Sequence, residues 1–177
     1  DMGSGYWIGR QALLNLTLNE TSVLGDKDLE EIMSVFLSHV DEEEFQVAME
    51  NLNESVDAVS IIAGIAESII GLAEKGNEVA LSILQEATHA VSEYIITLTD
   101  ELDYNENQIV LSGNGSVIRN DFFRNSVNDE LRFIFPDIKW TFSSISPAYG
   151  AGILAAKIHD VHVKVSDILK GDALAPA

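Results

Sequence analysis

The sequence contains no cysteine. Disulfide bonds, cysteine-ligated zinc and cysteine-bound iron–sulfur clusters are therefore excluded within these 177 residues. The absence of cysteine fits a reducing compartment, and we expect a cytoplasmic protein.

Basic residues are scarce, because 10 Lys and Arg stand against 29 Asp and Glu, giving a net charge of −19. This charge repels the phosphate backbone and anionic lipid headgroups, so we expect no nucleic-acid partner and no membrane partner. A nucleotide ligand remains compatible with the charge, since backbone N–H groups and a bound cation can hold phosphates locally.

Long apolar runs are also missing. Glu67, Ser68 and Glu74 interrupt the most apolar helical pattern, which stays below the roughly 20 residues of a membrane span. Hydrophobic residues still make up 46% of the chain, which excludes wholesale disorder and suffices for one buried core. We therefore treat residues 1–177 as a single domain.

Apolar residues recur at helical spacing through the first hundred residues. Asp26 and Asn77 are the expected N-caps of two helices, and Asp41 with Glu44 has the pattern of a capping box for a third. Residues 56–73 predict one continuous helix. The helix after Asn77 is the longest, and its predicted apolar face comprises Ala80, Ile83, Leu84, Ala87, Val91, Tyr94, Ile95, Leu98 and Leu102.

The pattern changes after residue 104. Residues 108–112 predict a buried strand, and alternating apolar residues from 138 to 142 predict a second. A helix carrying Phe122 and Phe123 lies between them, and a helix capped by Ser146 with Pro147 at its first position follows. A last short helix is predicted over 163–169. This order indicates a βαβα unit with parallel strands over 105–177, after a helical part over 1–104.

Two turns rich in glycine are candidate ligand sites. One spans residues 3–5, and the other spans residues 113–116, directly after the first predicted strand. Glycine lets the backbone approach a ligand closely, and a following helix can offer N–H donors. The second pattern is equally typical of an ordinary tight turn, whereas the first is best explained as a ligand-contacting turn. His159 and His162 have the spacing of a metal pair, but no third ligand is near in sequence, so we expect surface residues.

The first residues resemble a known family. The segment Asp1-Met2-Gly3-Ser4-Gly5-Tyr6-Trp7-Ile8 is similar to the Gly-Asp-Glu-Gly-Ser-x-Tyr-Trp-Ile segment of the N-acetylglucosamine kinase-like proteins, which group with the BadF/BadG/BcrA/BcrD ATPases. That branch belongs to the sugar kinase/Hsp70/actin superfamily. Met2 stands where the family usually has Glu. The family's glycine "adenosine" motif resembles Gly113, Gly115 and Ser116. Its helical insert resembles the stretch with Ala63 and Gly64, and its late Gly-Ala pair resembles Gly150 and Ala151.

The resemblance implies a ribonuclease H-like, actin-type ATPase lobe with a large helical insert. The chain would be the C-terminal lobe of a longer parent whose N-terminal lobe carries the catalytic base and the phosphate-binding loops. ATP and Mg²⁺ would be the cofactors. The implied sugar-binding residues are Asp1, Gly3 and Ser4. The implied nucleotide-binding residues are Gly113, Gly115 and Ser116, with Ala63 and Gly64 on the opposite wall.

The function implied by the resemblance is ATP-dependent phosphorylation of a sugar, N-acetylglucosamine or a related hexose. One alternative is an ATPase that drives an acyl-CoA reductase or dehydratase, but those relatives hold an iron–sulfur cluster through cysteines. The other alternative is a non-enzymatic acidic helical module, against which the strand–glycine–helix pattern argues. The helical part also offers faces for a homodimer.

Overall fold

The computed structural model describes residues 1–19, 23–104, 106–143 and 147–162. The chain has a mixed α/β structure, rich in helix, with a small two-stranded parallel sheet. In chain order the elements are α1 (Gly5–Leu18), α2 (Lys27–Val40), α3 (Phe45–Glu54), α4 (Ala58–Gly64), α5 (Ala66–Glu74), α6 (Glu78–Glu101), β1 (Gln108–Gly113), α7 (Ser116–Arg119), α8 (Asp121–Leu131), β2 (Asp137–Phe142) and α9 (Pro147–Ile158).

The apolar faces of α1, α2, α5 and α6 meet in one core, which extends to the inner faces of α8 and β1. Its fully buried side chains include Ile8, Leu16, Ile32, Phe36, Ile69, Phe123, Val127 and Leu131. Helix α1 also lies directly against α4. A Cβ atom on Gly9 would come within 2.0 Å of the Ile62 carbonyl oxygen, so only glycine permits this approach.

The predicted caps at Asp26 and Asn77 are confirmed. The Asp26 carboxylate accepts hydrogen bonds from the backbone N–H groups of Asp28 and Leu29, and the Asn77 side chain accepts from Ala80. The predicted capping box is wrong. Asp41 instead ends α2 in the left-handed conformation with φ +58°, and α3 begins after Glu44 without a side-chain cap.

Asn77 also joins the start of α6 to α2. This side chain is 3% exposed, and its Nδ2 donates to the Asp28 carbonyl oxygen at 2.9 Å and to the Glu31 carboxylate at 3.1 Å. The hydrogen bond from Asn77 lowers the pKa of Glu31 below its ordinary value of 4.5. Asn77 is therefore both a helix cap and a cross-link.

The single helix predicted over 56–73 is wrong, because two helices occupy this stretch. The Ile65 N–H donates to the Ile62 carbonyl at 3.3 Å, which tightens the chain between α4 and α5. Gly64, a weak helix former, lies directly before this turn. Val56 and Val59 are 98% and 63% exposed, so the buried face begins later than their spacing predicts.

The parallel βαβ arrangement is confirmed. β1 pairs with β2 from Gln108 opposite Asp137 to Gly113 opposite Phe142. The predicted connecting helix is divided into α7 and α8 at Asn120, whose side chain caps α8 by accepting from the Phe123 N–H. Within the described ranges, β1 has no partner strand other than β2, so its second edge carries no strand there.

The last described element is α9, which begins at Pro147 as predicted and is largely exposed. The predicted cap at Ser146 and the helix over 163–169 lie outside the described residues. No helix among those the structure describes is both long enough and apolar enough to cross a lipid bilayer.

Candidate functional site

The N-terminal turn is built by a cap and by a close approach to α6. The Ser4 hydroxyl accepts a hydrogen bond from the Trp7 N–H at 3.1 Å, and the Ser4 N–H donates to the Asp1 carbonyl at 3.2 Å. Gly3 has φ +85°, and a Cβ there would lie 2.6 Å from the Val91 side chain. The turn is therefore fixed against the middle of α6.

The turn between β1 and α7 contains two glycines with different roles. Gly115 has φ +101° and nothing within 4 Å of the place where a Cβ would be, so it faces open space. Its backbone conformation is one that only glycine adopts without strain. Gly113 is buried, and a Cβ there would lie 2.6 Å from the Phe142 ring and 3.1 Å from Ile118. The space beside Gly113 is thus occupied by other side chains of the protein.

Phe142 supports this turn from behind. Its ring stacks on Trp140, with centroids 6.4 Å apart and planes 12° from parallel. The guanidinium groups of Arg119 and Arg124 lie 5.0 and 5.4 Å from the Phe142 ring centroid, and Arg119 also donates to the Ser143 carbonyl at 2.9 Å. Aromatic stacking and two cation–π contacts therefore hold the end of β2 against the turn.

The two turns line one cavity of about 680 Å³. Helix α6 forms one wall of the cavity. The end of α4 and side chains from α8 and β2 complete the lining. The lining residues are Met2, Gly3, Ser4, Gly5, Ala63, Val91, Ile95, Leu98, Leu111, Ser112, Gly113, Asn114, Gly115, Ser116, Val117, Ile118, Phe123 and Trp140. None of these side chains carries a charge at neutral pH, so the cavity is lined by apolar and neutral polar groups.

Six of the eight residues singled out from the sequence meet in this cavity, namely Gly3, Ser4, Ala63, Gly113, Gly115 and Ser116. Asp1 lies one residue outside the lining. Gly64 faces elsewhere, because a Cβ on it would lie 2.8 Å from the His39 imidazole. Two different lengths of chain, the N-terminal turn and the β1–α7 turn, are thus brought together by folding.

Sequence reasoning missed the wall formed by α6 and the polar residue in the second turn. Val91, Ile95 and Leu98 belong to the predicted apolar face of their helix. Val91 and Ile95 do pack partly against the core, and all three also line the cavity. Leu98 is 56% exposed, which no pattern in the sequence indicates. Asn114 could have been recognised, because a polar residue between two glycines at a strand end is a common ligand-contacting position.

The helix that follows the second turn differs from the expectation. α7 has four residues, so few peptide dipoles are aligned, and its N-terminus offers little attraction to an anion. The chain between Lys75 and Arg119 contains no lysine or arginine. The cavity therefore has the chemistry of a pocket for an uncharged group and not that of a phosphate site.

A second, apolar groove of about 440 Å³ adjoins the cavity and shares Ile95, Leu98 and Leu111 with it. It runs between the last turns of α6 and β1. Several of its side chains are exposed, including Leu102 at 74% and Val110 at 59%. Within the described part of the chain, no group of three or more His, Asp or Glu side chains is arranged to hold a metal ion, and His159 and His162 are exposed.

No family model matches the chain, and no curated protein matches it significantly.

Proposed function

We propose that this chain is the C-terminal, adenosine-binding lobe of an ATP-dependent sugar kinase that acts on N-acetylglucosamine or a related hexose. The observation that carries the proposal is the meeting of two turns in one cavity. The sequence resemblance gives sugar contacts to the first turn and adenosine contacts to the second, and both line the same space. A kinase binds these two ligands in one cleft, with the triphosphate reaching from the nucleoside to the sugar.

The size and lining of the cavity support a nucleoside as its occupant. A volume of about 680 Å³ lies in the range of small-molecule pockets. The apolar walls from α6, β1 and β2 suit a flat aromatic base, and the hydroxyls of Ser112 and Ser116 suit its polar edge or the ribose. Gly115, which faces open space, lets the backbone approach the ligand without a side chain between them.

The groups that hold the phosphates and Mg²⁺ are not among the described residues that line this cavity. In the part of the chain that the structure describes, no charged side chain lines the cavity, and the whole sequence carries a net charge of −19. An N-terminal lobe would supply the phosphate-binding loops, the Mg²⁺ contacts and the catalytic base. When bound, Mg²⁺ neutralises charge on the phosphates during transfer. The role of the residues described here is to bind the nucleoside, orient it and exclude water around it.

The fold is compatible with this division of labour. In the proposal the chain is a ribonuclease H-like, actin-type ATPase lobe, and the reaction takes place in the cytoplasm. Parallel sheets are normally covered on both faces and rarely consist of two strands alone. The second edge of β1 and the apolar groove beside it, with Val110 and Leu102 exposed, suit contact with further strands of the parent chain.

The test is sugar-dependent ADP release by the full-length protein with Mg·ATP. Gly115→Ala places a methyl group in the space proposed for the nucleoside and should therefore raise the KM for ATP at least tenfold. Its φ of +101° also strains any other residue, at a cost in stability of about 1–3 kcal/mol. Gly25→Ala is the matched control, because Gly25 has φ +104°, also faces open space and lies in the loop before α2. It should lower stability to a similar extent and leave the KM unchanged.

Other results would replace the proposal. ATP turnover that no sugar stimulates would favour an ATPase coupled to an acyl-CoA reductase or dehydratase. A full-length protein that binds no nucleotide would favour an acidic interaction module.

A further inference from the structure

The hydrogen-bonding side chains in the cavity are of two kinds: those whose orientation is fixed by a protein partner and those that can rotate. Asn114 is fixed. Its Oδ1 accepts from the Gly115 N–H at 3.0 Å, and because that partner can only donate, the atom facing it must be the oxygen. The Nδ2 group therefore points away from this backbone partner and presents donors to a ligand, while Oδ1 keeps one further lone pair.

The hydroxyls of Ser112 and Ser116 are of the rotating kind. Both residues are exposed and line the cavity beside the second turn. A serine hydroxyl can donate or accept by turning about its C–O bond. It therefore serves an amino group and a carbonyl group equally well, and it does not distinguish the edge of adenine from the edge of guanine.

Two further polar side chains have protein partners. The Ser4 hydroxyl accepts from the Trp7 N–H and keeps its own proton to donate, and the Trp140 ring N–H donates to the Asn128 side-chain Oδ1 at 2.7 Å. No carboxylate of the described residues lines the cavity. A carboxylate is the fixed acceptor that could bind the ring N–H and the amino group of guanine together. Without one, the side chains favour neither purine.

We infer that this cavity accepts adenine and guanine nucleotides with similar efficiency, so that the kinase proposed above uses GTP as well as ATP. The inference rests on the proposed function, and it follows from recognition by shape and apolar contact. Sites of that kind separate similar ligands by about 10–200-fold, whereas sites with fixed polar partners reach about 10⁴–10⁵-fold. Asn114 donates equally well to the ring nitrogens of either purine.

The first measurement compares kcat/KM for Mg·ATP and Mg·GTP in the full-length protein at saturating sugar. The expected ratio is below about 200. A larger preference for ATP would overturn the inference and leave the kinase proposal standing. Absence of turnover with both nucleotides would overturn both, so the two failures are distinguishable.

A second measurement uses Asn114→Asp, which preserves shape. One carboxylate oxygen can still accept from the Gly115 N–H, and the other then offers a fixed acceptor where Asn114 offers a donor. One charge-assisted hydrogen bond to the ring N–H or the amino group of guanine should raise the GTP-to-ATP ratio of kcat/KM about tenfold. Repulsion between the new charge and the phosphates affects both nucleotides alike and cancels in the ratio.

Asn53→Asp is the matched control, since it makes the same charge change at an exposed position on α3. It should leave the ratio unchanged. An Asn114→Asp protein with an unchanged ratio would show that the base does not lie against this turn, and the inference would be wrong.

Discussion

Replacing Gly9 with alanine tests how closely α1 and α4 are packed. The new Cβ would lie 2.0 Å from the Ile62 carbonyl oxygen and 2.9 Å from the carbonyl carbon. Both atoms belong to the backbone, so no rotamer change relieves the clash, and α1 must move away by about 1 Å or more to restore the roughly 3.5 Å of an ordinary contact. That movement would separate Ile8 and Leu16, both fully buried, from the core.

The expected loss in the free energy of unfolding is about 3 kcal/mol. Overpacking typically costs about 1–3 kcal/mol and occasionally more, and this clash is of the severe kind. Alanine returns up to about 1 kcal/mol through its better helix propensity. For a protein of this size, a loss of about 3 kcal/mol lowers Tm by roughly 6–12 °C. Urea and thermal unfolding followed by circular dichroism would measure it.

Gly71→Ala on α5 is the matched control. A Cβ there meets nothing within 4 Å, so the propensity gain stands alone and the variant should be up to about 1 kcal/mol more stable. The two substitutions are chemically identical and should have opposite signs. If Gly9→Ala unfolds at the wild-type urea concentration or above it, the close helix contact is absent and the reasoning is refuted.

Three further predictions concern other parts of the chain. Asn77→Ala should lower the free energy of unfolding by about 3 kcal/mol in urea, since it removes a cap and two partly buried hydrogen bonds to α2. Wild-type stability would contradict the cross-link. The lowered pKa of Glu31 adds stability that is present above pH 4.5 and lost as the pH falls below it. Acid should therefore destabilise Asn77→Ala less than wild type, and parallel profiles of unfolding free energy against pH would argue against this. In the full-length protein, Leu102→Cys should react with a thiol reagent at least tenfold more slowly than Val56→Cys; equal rates would mean that nothing covers the apolar groove.

Much of the architecture could be predicted from local signals. Asp26 and Asn77 cap helices because their side chains reach the first free N–H groups, and this depends on neighbouring residues alone. The parallel strands followed from their order along the chain. The break at Ile65 was not predictable from apolar spacing, because α4 and α5 together keep an almost continuous helical pattern. Asp41 is a residue type that favours helix N-caps, yet it ends α2 instead of starting α3.

The candidate site was predictable in part, for a similar reason. Glycines such as Gly115 are visible in a sequence because few residues tolerate their backbone conformation. Whether a glycine faces a cavity or a neighbouring ring is a tertiary property, and Gly113 is filled by Phe142 although its sequence setting resembles that of Gly115. Leu98 likewise belongs to an apolar stripe, and only the position of β1 decides that it borders open space.

The two cation–π contacts on the Phe142 ring have a thermodynamic consequence for ligand binding. A loop that orders itself only around its ligand surrenders conformational entropy at each encounter, and affinity falls accordingly. Here the end of β2 becomes ordered as the chain folds, so its conformational entropy is lost before any ligand binds. A molecule that binds here would meet a preorganised surface, and its affinity would depend on the contacts that it makes.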